Sequence, residues 1–135
     1  MTMKGGCLCG AVRYEVSGDA VFVGKCYCSD CQKEGGSGHL DLIGHRQEHV
    51  VVTGELCTYE KPGDSGLTVV RRFCPTCGTT VLGEPLGFPG VSMIRAGTLD
   101  ECGDITMQMA IFCKSARDWD QPPAGLPQFE EAPQG

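Results

Sequence analysis

The sequence predicts an all-β domain of short strands clipped by metal, with few helical turns. Three observations carry that reading. Apolar residues alternate with polar ones at period two in several short stretches, the pattern of half-buried strands. Glycine fills 20 of 135 positions, about twice its usual share, which suits many turns rather than long helices. The ten cysteines fall mostly in clusters two and three residues apart, the spacing of sulfurs that converge on one ion.

Taken in order, Val12, Tyr14 and Val16 alternate with Arg13 and Glu15 and read as a strand. Val50, Val51 and Val52 with Thr53 are β-branched and stop at Gly54, after which Leu56 to Tyr59 resumes extended chain. Lys61 to Gly66 is a turn cluster, and Leu67 to Phe73 is the strand that follows it. Val91 to Ile94 is a short apolar strand, and Ile105, Met107, Met109 and Ile111 alternate with their neighbours as another. Helix signal is thin: Ser29 to Glu34 can form one turn after Cys28. The proline-rich tail, 116–135, is expected to be an irregular strap on a single domain spanning 1–135.

Composition narrows the function. Net charge is −6, from 11 Lys and Arg against 17 Asp and Glu, and thiolate ligands would make the surface more acidic still. Nucleic-acid binding, which needs a basic face, is not expected. No run of about 18 apolar residues exists, so no membrane span is expected. The N-terminal Met-Thr-Met-Lys-Gly-Gly-Cys lacks the apolar stretch of a secretory signal. The chain is therefore expected in the cytoplasm, where cysteines stay reduced and metal binding is favoured over disulfides.

Two cysteine constellations stand out. Cys7 and Cys9 form C-x-C, which in extended chain would send both side chains to one face. Cys74 and Cys77 form C-x-x-C in the turn after a strand, where Pro75 bends the chain and Gly78 can turn amides toward sulfur. Joined across a sheet, the four make a closed Cys₄ site of structural type. Cys26, Cys28 and Cys31 offer three sulfurs. Three protein ligands with an open fourth position are typical of catalytic zinc; on spacing alone, Cys57, Cys102, Cys113, His39, His45 or His49 could instead close the site. His45 and His49 lie in strand and turn sequence, so a shared ion is not expected there. Cys57 and Cys113 read as small core residues, and Cys102, in Asp-Glu-Cys-Gly-Asp, as a sluggish thiol. Gly35 to Gly38 lacks the lysine of a phosphate loop and reads as a turn beside the three-cysteine site.

These residues resemble the glutathione-dependent formaldehyde-activating enzyme family, which includes the centromere protein V type of zinc domain. The likeness runs in order along nearly the whole chain. It comprises Gly-Gly-Cys-Leu-Cys-Gly-Ala-Val-Arg-Tyr-Glu-Val at 5–16, Cys-Tyr-Cys-Ser-Asp-Cys at 26–31, Thr-Gly-Glu-Leu at 53–56 and Arg-Arg-Phe-Cys-Pro-Thr-Cys-Gly at 71–78. Ala-Gly-Thr-Leu-Asp at 96–100 and Gly-Leu-Pro-Gln-Phe at 125–129 complete it. The resemblance implies a β-tent fold of short antiparallel sheets and two zinc ions per chain. Cys7, Cys9, Cys74 and Cys77 would hold the structural zinc; Cys26, Cys28 and Cys31 would hold a catalytic zinc with an exchangeable position. The implied activity is that of a carbon–sulfur lyase which, in the reverse sense, condenses formaldehyde with glutathione to S-(hydroxymethyl)glutathione. Other readings are a zinc enzyme acting on another thiol, electrophile or thioether, and a non-catalytic binding module. Tyr27 and Ala110 stand where relatives often carry histidine, and Arg71, Arg72 and Arg95 are the candidates to grip substrate carboxylates.

Overall fold

Ten strands and one short helix form two sheets in a computed structural model that describes residues 2–63, 65–101 and 105–133. The smaller sheet has the order β1-β2-β5, from β1 (Thr2–Gly6), β2 (Arg13–Ser17) and β5 (Val50–Thr53). The larger has seven strands in the order β10-β3-β4-β9-β8-β7-β6. These are β3 (Phe22–Cys26), β4 (Leu40–Arg46), β6 (Cys57–Pro62), β7 (Thr68–Phe73), β8 (Thr80–Pro85), β9 (Val91–Arg95) and β10 (Met109–Ile111). All neighbours pair antiparallel except β10, which runs parallel to β3. Among the described residues, no helix is long and apolar enough to cross a membrane.

The central strands of the large sheet, β4 and β9, bury both of their faces, and that positions the two cysteine clusters. Successive strand residues point to opposite sides. Ile43 of β4 and Ile94 of β9 therefore join a core with Val12, Tyr14, Val16 and Val81, shared with the small sheet. Their neighbours Leu42 and Met93 join a second core with Phe22 and Ile111 on the other side. Cys7 and Cys74 belong to the first core, whereas Cys26, Cys28 and Cys31 belong to the second. The two cysteine constellations thus lie on opposite sides of one sheet.

Several sequence expectations are corrected by this arrangement. The alternation from Ile105 to Phe112 yields a strand only at Met109–Ile111. β10 pairs with Gly24 to Cys26, and β3 begins at Phe22, so beyond the one bond from Gln108 N–H to the Val23 carbonyl the preceding residues run past the start of their neighbour. Cys57 is exposed rather than in the core, because β6 is the outer strand of the sheet. Cys7 and Cys9 lie in a tight loop rather than extended chain: Cys7 N–H bonds the Val12 carbonyl and Gly10 N–H bonds the Cys7 carbonyl. Cys102 lies outside the described residues. From Ala116 to Pro133 the chain forms turns and isolated bridges; it is tied to β10 by Ala110 N–H to the Pro127 carbonyl and Phe129 N–H to the Ala110 carbonyl, each at 2.9 Å.

Candidate metal centres

Two hairpin loops build the first cluster. The loop between β1 and β2 closes at the Gly6–Arg13 pair and carries Cys7 and Cys9. The loop between β7 and β8 closes at Phe73–Thr80 and carries Cys74 and Cys77. Leu8 N–H donates to Thr79 Oγ1 at 3.1 Å and staples one loop to the other. All four sulfurs fall within 4.8 Å of one another. Cys7 and Cys9 are 3.7 Å apart and Cys9 and Cys74 3.8 Å. A tetrahedron with zinc–sulfur bonds of about 2.3 Å has an edge of about 3.8 Å, so the sulfurs already stand at the spacing one ion needs. Gly78 sits at φ +78°, a region closed to most side chains, and its N–H reaches the Cys74 carbonyl at 2.9 Å. Val12 N–H points at Cys7 Sγ (3.2 Å) and Thr76 N–H at Cys74 Sγ (3.4 Å). Amides aimed at sulfur favour the thiolate, the form that binds metal. The Thr79 hydroxyl and amide hold Cys77 down to about 5.

The second cluster arises where β3 ends and the helix α1 (Ser29–Gly35) begins. Cys26 is the last residue of β3, Cys28 caps the helix and Cys31 sits in its first turn. Cys31 N–H donates to Cys28 Sγ at 3.3 Å, so the cap residue is itself a ligand candidate. The three sulfurs lie within 4.8 Å of one another and all three residues are buried. Among the described residues, no fourth His, Cys, Asp or Glu joins them. His39, His45, Cys57 and Cys113 are therefore not brought to this site. Hydrogen bonds from Cys26 and then Cys31 pull Cys28 down to about 3. The hydrogen bond to Cys28 in turn pushes Cys26 up to about 12, and hydrogen bonds to Cys26 and then Cys28 raise Cys31. Three buried sulfurs that cannot all ionise together suit a cation taking the place of the remaining protons. Both donor sets fit a thiophilic metal such as zinc.

A cavity of about 540 Å³ opens onto this second cluster, lined by Cys26, Cys28 and Cys31. One wall is polar, formed by Arg71 and Arg95 and backed by Glu34 of α1, whose side chain is 8% exposed. Arg95 of β9 clasps it with Nε and Nη2, both at 2.7 Å, and Arg71 of β7 adds Nε at 2.8 Å. Arg95 Nη1 also bonds the Met93 carbonyl at 3.0 Å. Gly83 makes room for that guanidinium, since a Cβ there would sit 2.9 Å from Arg95 Nη1. Nearby, Lys61 Nζ bonds Asp30 Oδ1 at 2.7 Å. Arg72, by contrast, is paired with Glu84 and does not line the cavity. The sequence reading missed Glu34 and Asp30; their signal was only their place in the first two turns after Cys28.

Neither Tyr27 nor Ala110 lines the cavity. The Tyr27 ring stacks on His39, with centroids 5.0 Å apart. His39 Nδ1 meets Asp120 Oδ2 at 2.6 Å, which docks the C-terminal strap. Gln32 completes the fastening: its amide donates to the Tyr27 and Ser115 carbonyls and accepts from Arg117 Nε. The residues behind the cysteines thus hold the ligand-bearing turn in place.

The fold and the paired clusters define a β protein built around two cysteine constellations, each able to hold a metal ion. Comparison with known proteins makes this specific. The family profile of the glutathione-dependent formaldehyde-activating enzyme matches residues 2–115, and the chain belongs to that family. A Halomonas elongata protein provisionally named a glutathione-dependent formaldehyde-activating enzyme is 33% identical over 92 residues, covering 60% of this chain and 55% of that protein. The chain therefore spans about half the length of this curated relative. A crystal structure of a Rhodobacter sphaeroides protein shares the fold, with a TM-score of 0.62, 22% identity, and coverage of 94% of this chain and 99% of that one.

Proposed function

We propose that this chain is a zinc-dependent enzyme of the carbon–sulfur lyase type, condensing formaldehyde with a thiol, glutathione being the thiol that its family name gives. The carrying observation is the cluster of three buried cysteines with no fourth such ligand, opening into a cavity. Cys26, Cys28 and Cys31 would hold the zinc of the reaction, and Cys7, Cys9, Cys74 and Cys77 a structural zinc on the other side of the sheet. The single domain 1–135 would work in the cytoplasm, with 116–135 as its strap.

The reaction joins a thiol sulfur to the formaldehyde carbon, breaks the carbonyl π bond and moves the thiol proton to oxygen. Zinc, when bound, supplies positive charge that favours the deprotonated form of a thiol near neutral pH. The chain's own residues do the remainder. The apolar part of the cavity wall and the burial of all three cysteines limit the water that reaches the sulfurs. Holding thiol and aldehyde together in one cavity supplies proximity, which is the main gain in so simple an addition. Arg71 and Asp30, on the polar wall, orient the thiol-bearing molecule.

Exchange NMR on formaldehyde and glutathione tests the reading. Zinc-loaded protein should raise the exchange rate in proportion to its concentration, and Cys28→Ser should remove the effect. No acceleration by protein carrying its full metal would move the function to another substrate.

A further inference from the structure

The polar wall of the cavity holds one cation that the protein leaves only partly used. Arg71 is 9% exposed, and among the described residues only its Nε is engaged, on Glu34, while Nη1 is buried and meets no partner. An unmatched buried donor of this kind carries a desolvation cost that a ligand acceptor can offset. The other cations near the site are spent: Arg95 on Glu34 and the Met93 carbonyl, Lys61 on Asp30. Apart from Ser65 and Thr68, most of the remaining lining is apolar, with Phe22, Leu42, Met93 and Ile111 on its floor and Leu67 and Phe88 nearer its mouth. Leu67 is 53% exposed and Phe88 41%, an apolar rim that no other part of the described chain covers.

We infer that the site takes a monocarboxylate with an apolar body, its carboxylate bound by the Arg71 guanidinium and its body lying against Phe22, Leu42, Met93 and the Leu67–Phe88 rim. This rests on the proposed thiol site and names the class of thiol it favours. A guanidinium reads a carboxylate through charge-assisted hydrogen bonds, and this wall offers one such reader. Glutathione, with two carboxylates and an ammonium, would satisfy Arg71 once and set its other charges against apolar side chains. A mercaptocarboxylate with an alkyl or aryl chain matches both parts of the cavity. Asp30, the acid on the same wall, is countered by Lys61 at 2.7 Å and leaves Oδ2 unpartnered as an acceptor for a ligand hydroxyl or N–H.

The test uses probes without a thiol, so that binding is read apart from chemistry. 4-Phenylbutyrate, 4-phenylbutanol and acetate are titrated by calorimetry into the zinc-loaded full chain. 4-Phenylbutyrate should bind about tenfold or more tightly than the alcohol, and far more tightly than acetate. Arg71→Gln should abolish the preference for the acid while leaving the affinity for the alcohol unchanged, and Arg72→Gln should alter neither. In the wild type, the Arg71 side-chain NH signals should shift with the acid and not with the alcohol, a readout that needs no variant to fold. Equal binding of acid and alcohol, a preference that survives Arg71→Gln, or acetate binding as well as 4-phenylbutyrate would overturn the assignment. Because these probes undergo no reaction, failure here leaves the thiol–formaldehyde reading standing, and failed turnover leaves the binding result standing.

Discussion

Cys28 and Cys77 carry the same side chain, yet they stand in different surroundings, and the proposed function gives them different work. Cys77 sits in a hairpin loop that joins parts of the chain 65 residues apart in sequence, and a metal there closes a long loop. A structural zinc contributes about 10 kcal/mol or more of apparent folding free energy. Cys77→Ser should therefore unfold the chain or lower its melting point steeply, as circular dichroism would show. His45 makes a different prediction. It is 1% exposed on β4, and neither ring nitrogen has a partner among the described residues. Burial lowers its pKa from the ordinary 6.5, His49 adds to the fall and Asp19 opposes it. The ring is thus neutral in the fold and contributes nothing to pH dependence above that value. As pH falls below about 6.5 the unfolded chain binds the proton first, so stability drops through that range. His45→Leu should show a shallower loss between pH 7.5 and 5.5, read as the difference in melting point from wild type at each pH. Parallel curves would contradict the account.

At the scale of elements, α1 matters more than its seven residues suggest. It brings Cys31 and Glu34 to the same site, and Glu34 bridges Arg71 on β7 and Arg95 on β9. Removing one partner of a buried ion cluster leaves uncompensated charge, at a cost of about 3–5 kcal/mol. Glu34→Gln should cost stability of that order, measured by denaturant unfolding, and should also loosen the three-cysteine turn. The strap gives a second test at this scale. Asp120→Ala removes the 2.6 Å contact with His39, and residues 116–133 should then be cut by protease faster than the sheets. Cleavage at the wild-type rate would show that the β10 pairing alone holds the strap. The short helix and most strand positions could be read from the sequence, because Cys28 precedes a helix-forming stretch and period two is plain from Val12 to Val16. β1, β3, β4 and β8 could not. Thr-Met-Lys-Gly-Gly and Phe-Val-Gly-Lys-Cys carry glycines and lysines that break the apolar alternation, and their pairing partners make them strands. Propensity yields there to packing.

For the whole molecule, the seven-stranded sheet separates the two cysteine clusters. One side shares its core with the small sheet and with Cys7 and Cys74; the other carries the three buried cysteines and the cavity. The grouping of the seven cysteines could be read from spacing alone, since two and three residues are the distances at which sulfurs share an ion. The cavity could not, because it is assembled from α1, β3, β4, β7, β8, β9, β10, the turn before β7 and the tail, and no local pattern records that meeting. The separation predicts that the two metals come apart independently. The most direct test is the zinc content of folded Cys28→Ser protein, by mass spectrometry under native conditions. The account predicts two zinc ions per wild-type chain, and in the variant one retained ion with the sheets intact by circular dichroism. Loss of both ions, or retention of both, would contradict the division of one sheet between a structural centre and a reactive one.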